Sequence, residues 1–239
     1  GDVARRIAHE IKNPLTPIQL SAERLKRRYL KQIKEDPETF TMCTETIIRQ
    51  VGDIGRMVDE FSSFARMPRP TVKEEDAKEM CQQALFLQRN GNPDLRYVAN
   101  LPAHPVALNC DRRQVSQVLT NILKNSAEAI EGRDERPDTP LPQGEITLSL
   151  QEDAAGVRIV VEDNGRGLPK EGRERLTEPY MTTRAKGTGL GLAIVKKIME
   201  DHGGFLSLED REGGGARISL VFRRDAKEIA SAGAHATAA

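Results

Sequence analysis

The sequence Ala4-Arg-Arg-Ile-Ala-His-Glu-Ile-Lys-Asn-Pro-Leu15 begins a stretch in which small and aliphatic residues recur in alternating steps of four and three. The residues that follow this spacing are Ala4, Ala8, Ile11, Leu15, Ile18, Ala22, Leu25 and Tyr29. Such a heptad repeat predicts an amphipathic helix whose apolar seam packs against another helix.

A second heptad pattern follows a polar break that contains Asp36 and Pro37. Two antiparallel helices cannot enclose a core by themselves, but two hairpins can associate as a four-helix bundle. We therefore predict a homodimer, and the alternative is a monomeric hairpin docked on the rest of its own chain. The apolar positions of the second helix are Phe40, Ile47, Val51, Ile54, Val58 and Phe61.

The segment Met67-Pro-Arg-Pro70 ends the second helix, because proline lacks the amide donor and restricts the residue before it. Beyond it, helices and strands interleave as in an α/β sandwich. The charged, proline-containing stretch 132–144 is predicted to be a surface loop. Helices are predicted at 78–90, from a cap at Asp111 to about Ile130, and at 190–202. Strands are predicted at 96–99, 106–108, 145–150, 157–162, 205–208 and 216–222.

These patterns predict an α+β chain with two domains. A helical hairpin dimerisation domain is expected at 1–68, an α/β sandwich at 69–224 and a disordered tail at 225–239. No apolar stretch has the length of a membrane span, and no signal peptide opens the chain. The chain begins inside a helical pattern without an initiator Met, so we expect it to be a fragment of a longer protein.

The overall composition does not favour a nucleic-acid-binding protein, a zinc protein or a disulfide-rich protein. Lys and Arg together number 36, as do Asp and Glu, so the net charge gives no indication of nucleic-acid binding. The three cysteines, Cys43, Cys81 and Cys110, form neither a CxxC pair nor a cluster with His. Neither a structural zinc site nor a disulfide framework is therefore expected.

The first helix carries a candidate nucleophile, His9. The seam residues on either side of it point inward, so His9 and Asn13, four residues apart, share an exposed face. An imidazole can attack phosphorus through one nitrogen while the other holds a proton, and Glu10 could accept that proton as a general base. Seen alone, a His-Glu pair on a polar helix face is usually only a solvated pair.

The neighbouring residues change that interpretation, because His9-Glu-Ile-Lys-Asn-Pro-Leu15 resembles the H-box of histidine kinases. The resemblance implies that His9 is phosphorylated, that Glu10 assists and that Asn13 orients water if the kinase also acts as a phosphatase. Pro14 removes one helical hydrogen bond and is expected to bend the helix just after the reactive residue.

A second group of candidates lies in the α/β half. Asn121 and Asn125 share one face of a predicted helix, and an amide oxygen suits Mg²⁺, which makes Asn125 the candidate metal ligand. The alternative for this pair is a structural role as capping or core-edge amides. The segment Asp163-Asn-Gly165-Arg-Gly167 follows a strand, where the carboxylate could accept a hydrogen bond from an adenine amino group. Taken alone, this segment is equally typical of a tight turn.

A glycine-rich segment, Gly187-Thr-Gly189-Leu-Gly191, opens the next helix, and helix N-termini favour phosphate. Leu192 stands where a dinucleotide fingerprint requires its last glycine, and no Walker A motif is present. Both the dinucleotide and P-loop types of site are therefore excluded.

In order and spacing, these segments resemble the N box, two glycine boxes and F box of the ATPase superfamily shared by histidine kinases, gyrase, the large heat-shock chaperones and MutL. The F-box match is Glu178-Pro-Tyr180-Met-Thr-Thr183. The resemblance implies ATP and Mg²⁺ as cofactors. It also implies a nucleotide site formed by Asn121, Asn125, Asp163, Gly165, Gly167, Tyr180, Thr183, Arg184, Lys186, Gly187, Thr188, Gly189, Leu190 and Gly191.

Three positions depart from the family pattern. Tyr180 stands where the F box usually has Phe, and Ala216 replaces a frequent Thr, which removes one hydroxyl. Glu128 lies where many relatives carry a basic residue, and we expect Arg184 or Lys186 to supply that charge.

The resemblance implies autophosphorylation of His9 from ATP and transfer of the phosphoryl group to an aspartate of a response regulator, which would dock near His9. It also implies that the chain is the cytoplasmic portion of a sensor anchored in the inner membrane. One rival is an ATP-driven conformational machine that hydrolyses ATP. A second rival is a scaffold that binds nucleotide and a receiver domain without catalysing transfer. The sequence does not indicate whether ATP on one subunit serves His9 of the same chain or of its partner.

Overall fold

The structure is a computed structural model that describes residues 2–134, 140–179 and 189–224. The described residues form a helical unit up to Pro68 and an α/β unit that starts at Arg69. None of the described helices combines the length and apolar character that a membrane span requires. The helices are α1 Asp2–Tyr29, α2 Pro37–Ala65, α3 Ala77–Gly91, α4 Arg112–Glu131 and α5 Gly191–Asp201, and the strands are β1 Lys73–Asp76, β2 Arg96–Asn100, β3 Ala107–Cys110, β4 Glu145–Asp153, β5 Gly156–Asp163, β6 Phe205–Asp210 and β7 Ala216–Arg223.

The helical unit is the predicted hairpin, in which α1 packs along α2. Ion pairs join the two helices at Lys12–Asp59 and at Lys26–Glu45. The helix α1 is continuous, although both Pro14 and Pro17 lie inside it. Among the hairpin residues from Arg6 onward, the buried ones are small or β-branched, namely Ala8, Ala22, Thr44, Val51, Val58 and Ser62.

The connection between the two helices is short and strongly specified by its sequence. A 3₁₀ turn at Leu30–Gln32 follows α1. Asp36 adopts a left-handed backbone conformation with φ 49°, and its carboxylate accepts a hydrogen bond from the Thr39 amide at 3.1 Å. Pro37 then supplies the first residue of α2, where a missing amide proton costs nothing. The polar break predicted from the sequence is therefore a capped helix start.

The α/β unit is built on a five-stranded mixed sheet with the strand order β2-β4-β5-β7-β6. Strands β2 and β4 are parallel, whereas the other neighbouring pairs are antiparallel. Leu148 on β4 pairs with Val161 on β5, which in turn pairs with Ile218 on β7, so the three side chains share one face of the sheet. All three are buried, and α4 contacts both β4 and β5. The core therefore lies between the sheet and its helices.

A small two-stranded sheet joins β1 to β3 at the start of the α/β unit. The sequence patterns do not predict β1, whose four residues are Lys73-Glu-Glu-Asp76 and carry no apolar signal. Glu75 of this strand pairs with Arg112 at 3.0 Å. The strand is therefore held by its backbone and by an ion pair, and not by apolar burial.

The remaining predicted elements are present, with ends that differ by a few residues. The helix predicted to be capped by Asp111 and to reach about Ile130 is α4, and Asp111 is its N-cap as predicted. The strand predicted at 145–150 extends to Asp153, and the strand predicted at 106–108 is shifted to 107–110. The predicted tail at 225–239 lies outside the described residues.

Candidate functional site

The candidate nucleophile lies on the outside of α1. His9 and Asn13 are exposed, whereas Ala8 is buried with 6% of its surface accessible. Glu10 is also exposed, and its carboxylate accepts a hydrogen bond from Nε of Arg6 at 3.1 Å. The family motif does not predict the Arg6–Glu10 ion pair. The spacing of the two residues does indicate it, because oppositely charged residues four apart on a helix commonly pair.

The asparagine pair lies on α4 beside the start of α5. Nδ2 of Asn121 donates to the carbonyl oxygen of Gly191 at 3.5 Å, which is the long end of the hydrogen-bond range. A Cβ atom added at Gly191 would lie 3.9 Å from Nδ2 of Asn125. Both amides are therefore next to the N-terminus of α5, where free backbone amides favour an anion.

The carboxylate predicted to recognise the base lies at the end of β5. Asp163 is buried, with 2% of its surface accessible. Burial raises the pKa of its carboxyl group, and hydrogen bonding opposes this rise, chiefly through the Gly165 amide, which donates to Oδ1 at 2.9 Å. A buried acceptor of this kind is suited to a ligand that brings its own hydrogen-bond donor.

The loop after β5 packs so tightly that two of its contacts require glycine. A Cβ atom at Gly165 would lie 2.7 Å from the carbonyl carbon of Ala129 on α4. A Cβ atom at Gly215, which has φ 103°, would lie 1.8 Å from the carbonyl oxygen of Asp163. The loop therefore lies directly against α4 on one side and against the turn before β7 on the other.

Asp163 and the two asparagines all lie close to α4, because the asparagines are on this helix and the loop after β5 packs against its Ala129. Asp163 offers a buried acceptor, and Asn121 and Asn125 offer amides beside the start of α5. This arrangement fits a nucleotide, because a base needs a buried polar partner and phosphates need amides and a helix N-terminus.

Several predicted nucleotide-site residues lie outside the described part of the chain, namely Tyr180, Thr183, Arg184, Lys186, Gly187 and Thr188. Of the last glycine-rich segment, Gly189 has φ 71° and Leu190 is buried. Glu128 is one of the three departures from the family pattern. Its Oε1 lies 3.9 Å from Nζ of Lys124 on α4.

One residue of this region, Ser126 on α4, is not among the candidates that the motifs indicate. It has 1% of its surface accessible. The sequence could have indicated Ser126, because it is a polar residue on the apolar side of the helix. It lies four positions after Ile122 and three after Leu123.

Comparison with known families gives two matches that follow each other along the chain. Residues 1–70 match the model of the His Kinase A (phospho-acceptor) domain. Residues 110–226 match the model of the histidine kinase-, DNA gyrase B- and HSP90-like ATPase. The first match contains His9, and the second contains both asparagines and Asp163.

Curated relatives match over almost the whole chain. Nitrogen regulation protein NtrY of Azorhizobium caulinodans is 58% identical over 227 residues, which are 94% of this chain and 29% of that protein. The putative sensor histidine kinase NtrY-like of Rickettsia conorii is 40% identical over 96% of this chain and 36% of its own length. The chain therefore spans about a third of the length of these relatives.

Solved structures agree with these matches. Histidine kinase ThkA, crystallised in complex with response regulator protein TrrA, is 25% identical and has a TM-score of 0.64, covering 94% of this chain and 62% of that chain. Full-length ShkA in complex with AMPPNP, at 20% identity, shares the fold with a TM-score of 0.65 over 94% of this chain and 47% of that chain. The chain belongs to the sensor histidine kinases, and its sequence resembles that of NtrY.

Proposed function

We propose that this chain is a protein histidine kinase of two-component signalling that transfers the γ-phosphoryl group of ATP to His9 and then to an aspartate of a response regulator. The observation that carries this proposal is the combination, in one chain, of an exposed His9 within an H-box, a buried Asp163 at the end of β5 and two asparagines beside the start of α5. Each feature alone has a structural explanation, whereas their combination is typical of phosphotransfer to histidine.

In the proposed reaction, one ring nitrogen of His9 attacks the γ-phosphorus in line, and the bond from that phosphorus to the β–γ bridging oxygen breaks. ADP leaves with the bond's electrons, and phosphohistidine forms. Glu10 accepts the proton from the other ring nitrogen, which keeps the attacking nitrogen's lone pair available. In the structure one carboxylate oxygen of Glu10, Oε1, accepts a hydrogen bond from Arg6.

The nucleotide is proposed to lie over α4, with its base against Asp163 and its phosphates at the start of α5. Asn125 would hold Mg²⁺, which neutralises phosphate charge when bound. The other proposed nucleotide contacts are Asn121, Gly165, Gly167, Tyr180, Thr183, Arg184, Lys186, Gly187, Thr188, Gly189, Leu190 and Gly191.

The proposed partner is a receiver domain that docks on the face of α1 around His9. Leu20 supports this placement, because it lies three helical turns after His9 on nearly the same face and is 59% exposed. An exposed leucine on a polar face is suited to a protein partner. We also infer that Asn13 orients water when the kinase acts as a phosphatase toward the regulator.

The biological setting is proposed from the relatives. We infer that the chain is the cytoplasmic part of a membrane-anchored sensor and that it serves nitrogen regulation. In this view, residues 1–68 dimerise and carry His9, residues 69–224 bind ATP, and residues 225–239 are a tail.

A labelling time course tests the proposal. The purified chain is incubated with γ-labelled ATP and Mg²⁺, and then a receiver domain is added. We expect acid-labile label on the chain, its loss in His9→Gln, and its movement to the receiver. Release of free phosphate without labelled protein would favour an ATP-hydrolysing machine, and neither product would favour a scaffold.

A further inference from the structure

The Ser126 hydroxyl group is buried and poorly satisfied. Its Oγ makes no hydrogen bond of normal geometry within the part of the chain that the structure describes. The hydroxyl nevertheless faces Asp163 closely enough to lower the pKa of that carboxyl group, against the larger effect of burial. A buried hydroxyl without a well-formed hydrogen bond is unfavourable, so a ligand that supplies one is a natural explanation.

The position of Ser126 on α4 directs it toward the proposed base site. Ser126 and Ala129 are three residues apart and therefore share a face of the helix. Ala129 meets the loop after β5, because its carbonyl oxygen accepts from the Arg166 amide at 3.0 Å. Ser126 thus lies one turn before the point where α4 meets the loop that begins at Asp163.

The two side chains together match the polar edge of adenine. A carboxylate can only accept, whereas a hydroxyl group can donate. Adenine presents its 6-amino group as a donor and the adjacent N1 as an acceptor. Guanine presents the reverse order, with O6 as an acceptor and N1–H as a donor, and would place its O6 against the carboxylate.

We propose that Ser126 is a specificity-determining residue whose hydroxyl donates to N1 of adenine, directly or through one water, while Asp163 accepts from the 6-amino group. The inference rests on the proposed ATP site and adds to it a hydroxyl group that the family resemblance did not supply. It also explains why this hydroxyl forms no good hydrogen bond within the described protein.

The test measures equilibrium binding of ATP, GTP and 1-deaza-ATP, which lacks the N1 acceptor, to the full 239-residue chain. We expect Ser126→Ala to weaken ATP binding by about three- to tenfold and to lower the preference for ATP over GTP. The wild type should bind 1-deaza-ATP more weakly than ATP by a similar factor, and Ser126→Ala should bind the two equally.

Ser219→Ala is the matched control. Ser219 is also buried, but it pairs with Val160 and so lies on the opposite face of the sheet from Asp163. This variant should leave the ratio of ATP to GTP affinity unchanged. Thermal unfolding without nucleotide should show Ser126→Ala to be no less stable than the wild type, because the lost hydroxyl makes no well-formed hydrogen bond.

Equal ATP affinity in wild type and Ser126→Ala would overturn the role of Ser126 while leaving the proposed kinase site intact. Failure of the wild type to bind ATP would instead refute the proposed function. Should Ser126→Ala fail to fold, the wild type alone decides the matter, because equal affinity for ATP and 1-deaza-ATP would exclude a contact to N1.

Discussion

At the residue scale, Asp111 shows how one buried carboxylate connects separate segments. It has 3% of its surface accessible and accepts hydrogen bonds from the amides of Thr71 at 2.9 Å and Arg113 at 3.0 Å. Burial alone raises its pKa, but these hydrogen bonds, with that from Gln114, bring the pKa below its ordinary value of 3.8. Asp111 therefore caps α4 and also fixes the segment that enters the α/β unit.

Replacing Asp111 with Ala should lower the free energy of unfolding by about 1–2 kcal/mol at neutral pH, because a helix cap is lost. Since the folded-state pKa is depressed, the stabilisation is present above the ordinary value and is lost as the pH falls through the folded-state pKa. Urea denaturation should therefore show a difference from wild type that shrinks in acid. A difference in unfolding free energy that stays constant from neutral to acidic pH would contradict the role assigned to the charged Asp111 carboxylate.

At the element scale, α5 is tied to α4 through a histidine. The Asp111 amide donates to Nε2 of His202 at 3.0 Å, and Nδ1 of His202 lies 2.8 Å from the carbonyl oxygen of Ile198. A carbonyl oxygen only accepts, so Nδ1 carries the proton and Nε2 is the acceptor. The contact joins the end of the helix that starts at the proposed phosphate site to the start of the helix that carries the asparagines.

His202→Phe should therefore destabilise the α/β unit by about 1–2 kcal/mol, because the Asp111 amide loses its acceptor. His104→Phe is the control, since His104 is 63% exposed and its loss should change stability by less than about 0.5 kcal/mol. Chemical denaturation of the two variants measures both effects. Equal stability of the two would show that the His202 contact contributes nothing.

Most of the sheet and helices could be predicted from the sequence, because apolar residues alternate along β4, form short runs in β5 and β7 and recur with helical spacing along α4. The strand β1 could not, since all four of its residues are charged and only its pairing with β3 defines it. In the candidate site, Asp163 and Asn125 were predicted from motifs. Ser126 and the Arg6–Glu10 pair were not predicted, because the family motifs do not include them and their contacts become visible only in the folded structure.

At the scale of the whole molecule, the single hairpin leaves apolar residues exposed. Ile11, Ile18 and Leu25 are 39%, 47% and 46% exposed along one stripe of α1. Ile47 and Ile54 are 43% and 41% exposed on α2. These residues occupy the predicted seam positions. We therefore expect a second hairpin to pack against both apolar stripes and bury them.

Ile18→Glu should convert the dimer into monomers, because it places a charge in the seam. Light scattering coupled to size exclusion measures the change. Arg27→Glu is the control, because Arg27 lies on the opposite side of α1, and it should leave the mass at twice that of one chain. A wild-type chain that is monomeric would instead support the hairpin docked on its own second domain.

Every step of the proposed chemistry depends on transfer of the γ-phosphoryl group to His9 from a nucleotide held over α4. Peptide mapping at alkaline pH, after incubation with ATP and Mg²⁺, locates the phosphoryl group directly. We predict one acid-labile phosphoryl group, on His9 and absent from Asp163→Ala. An acid-stable phosphate on a hydroxyl side chain, or phosphorylation of another of the four histidines, would contradict this assignment.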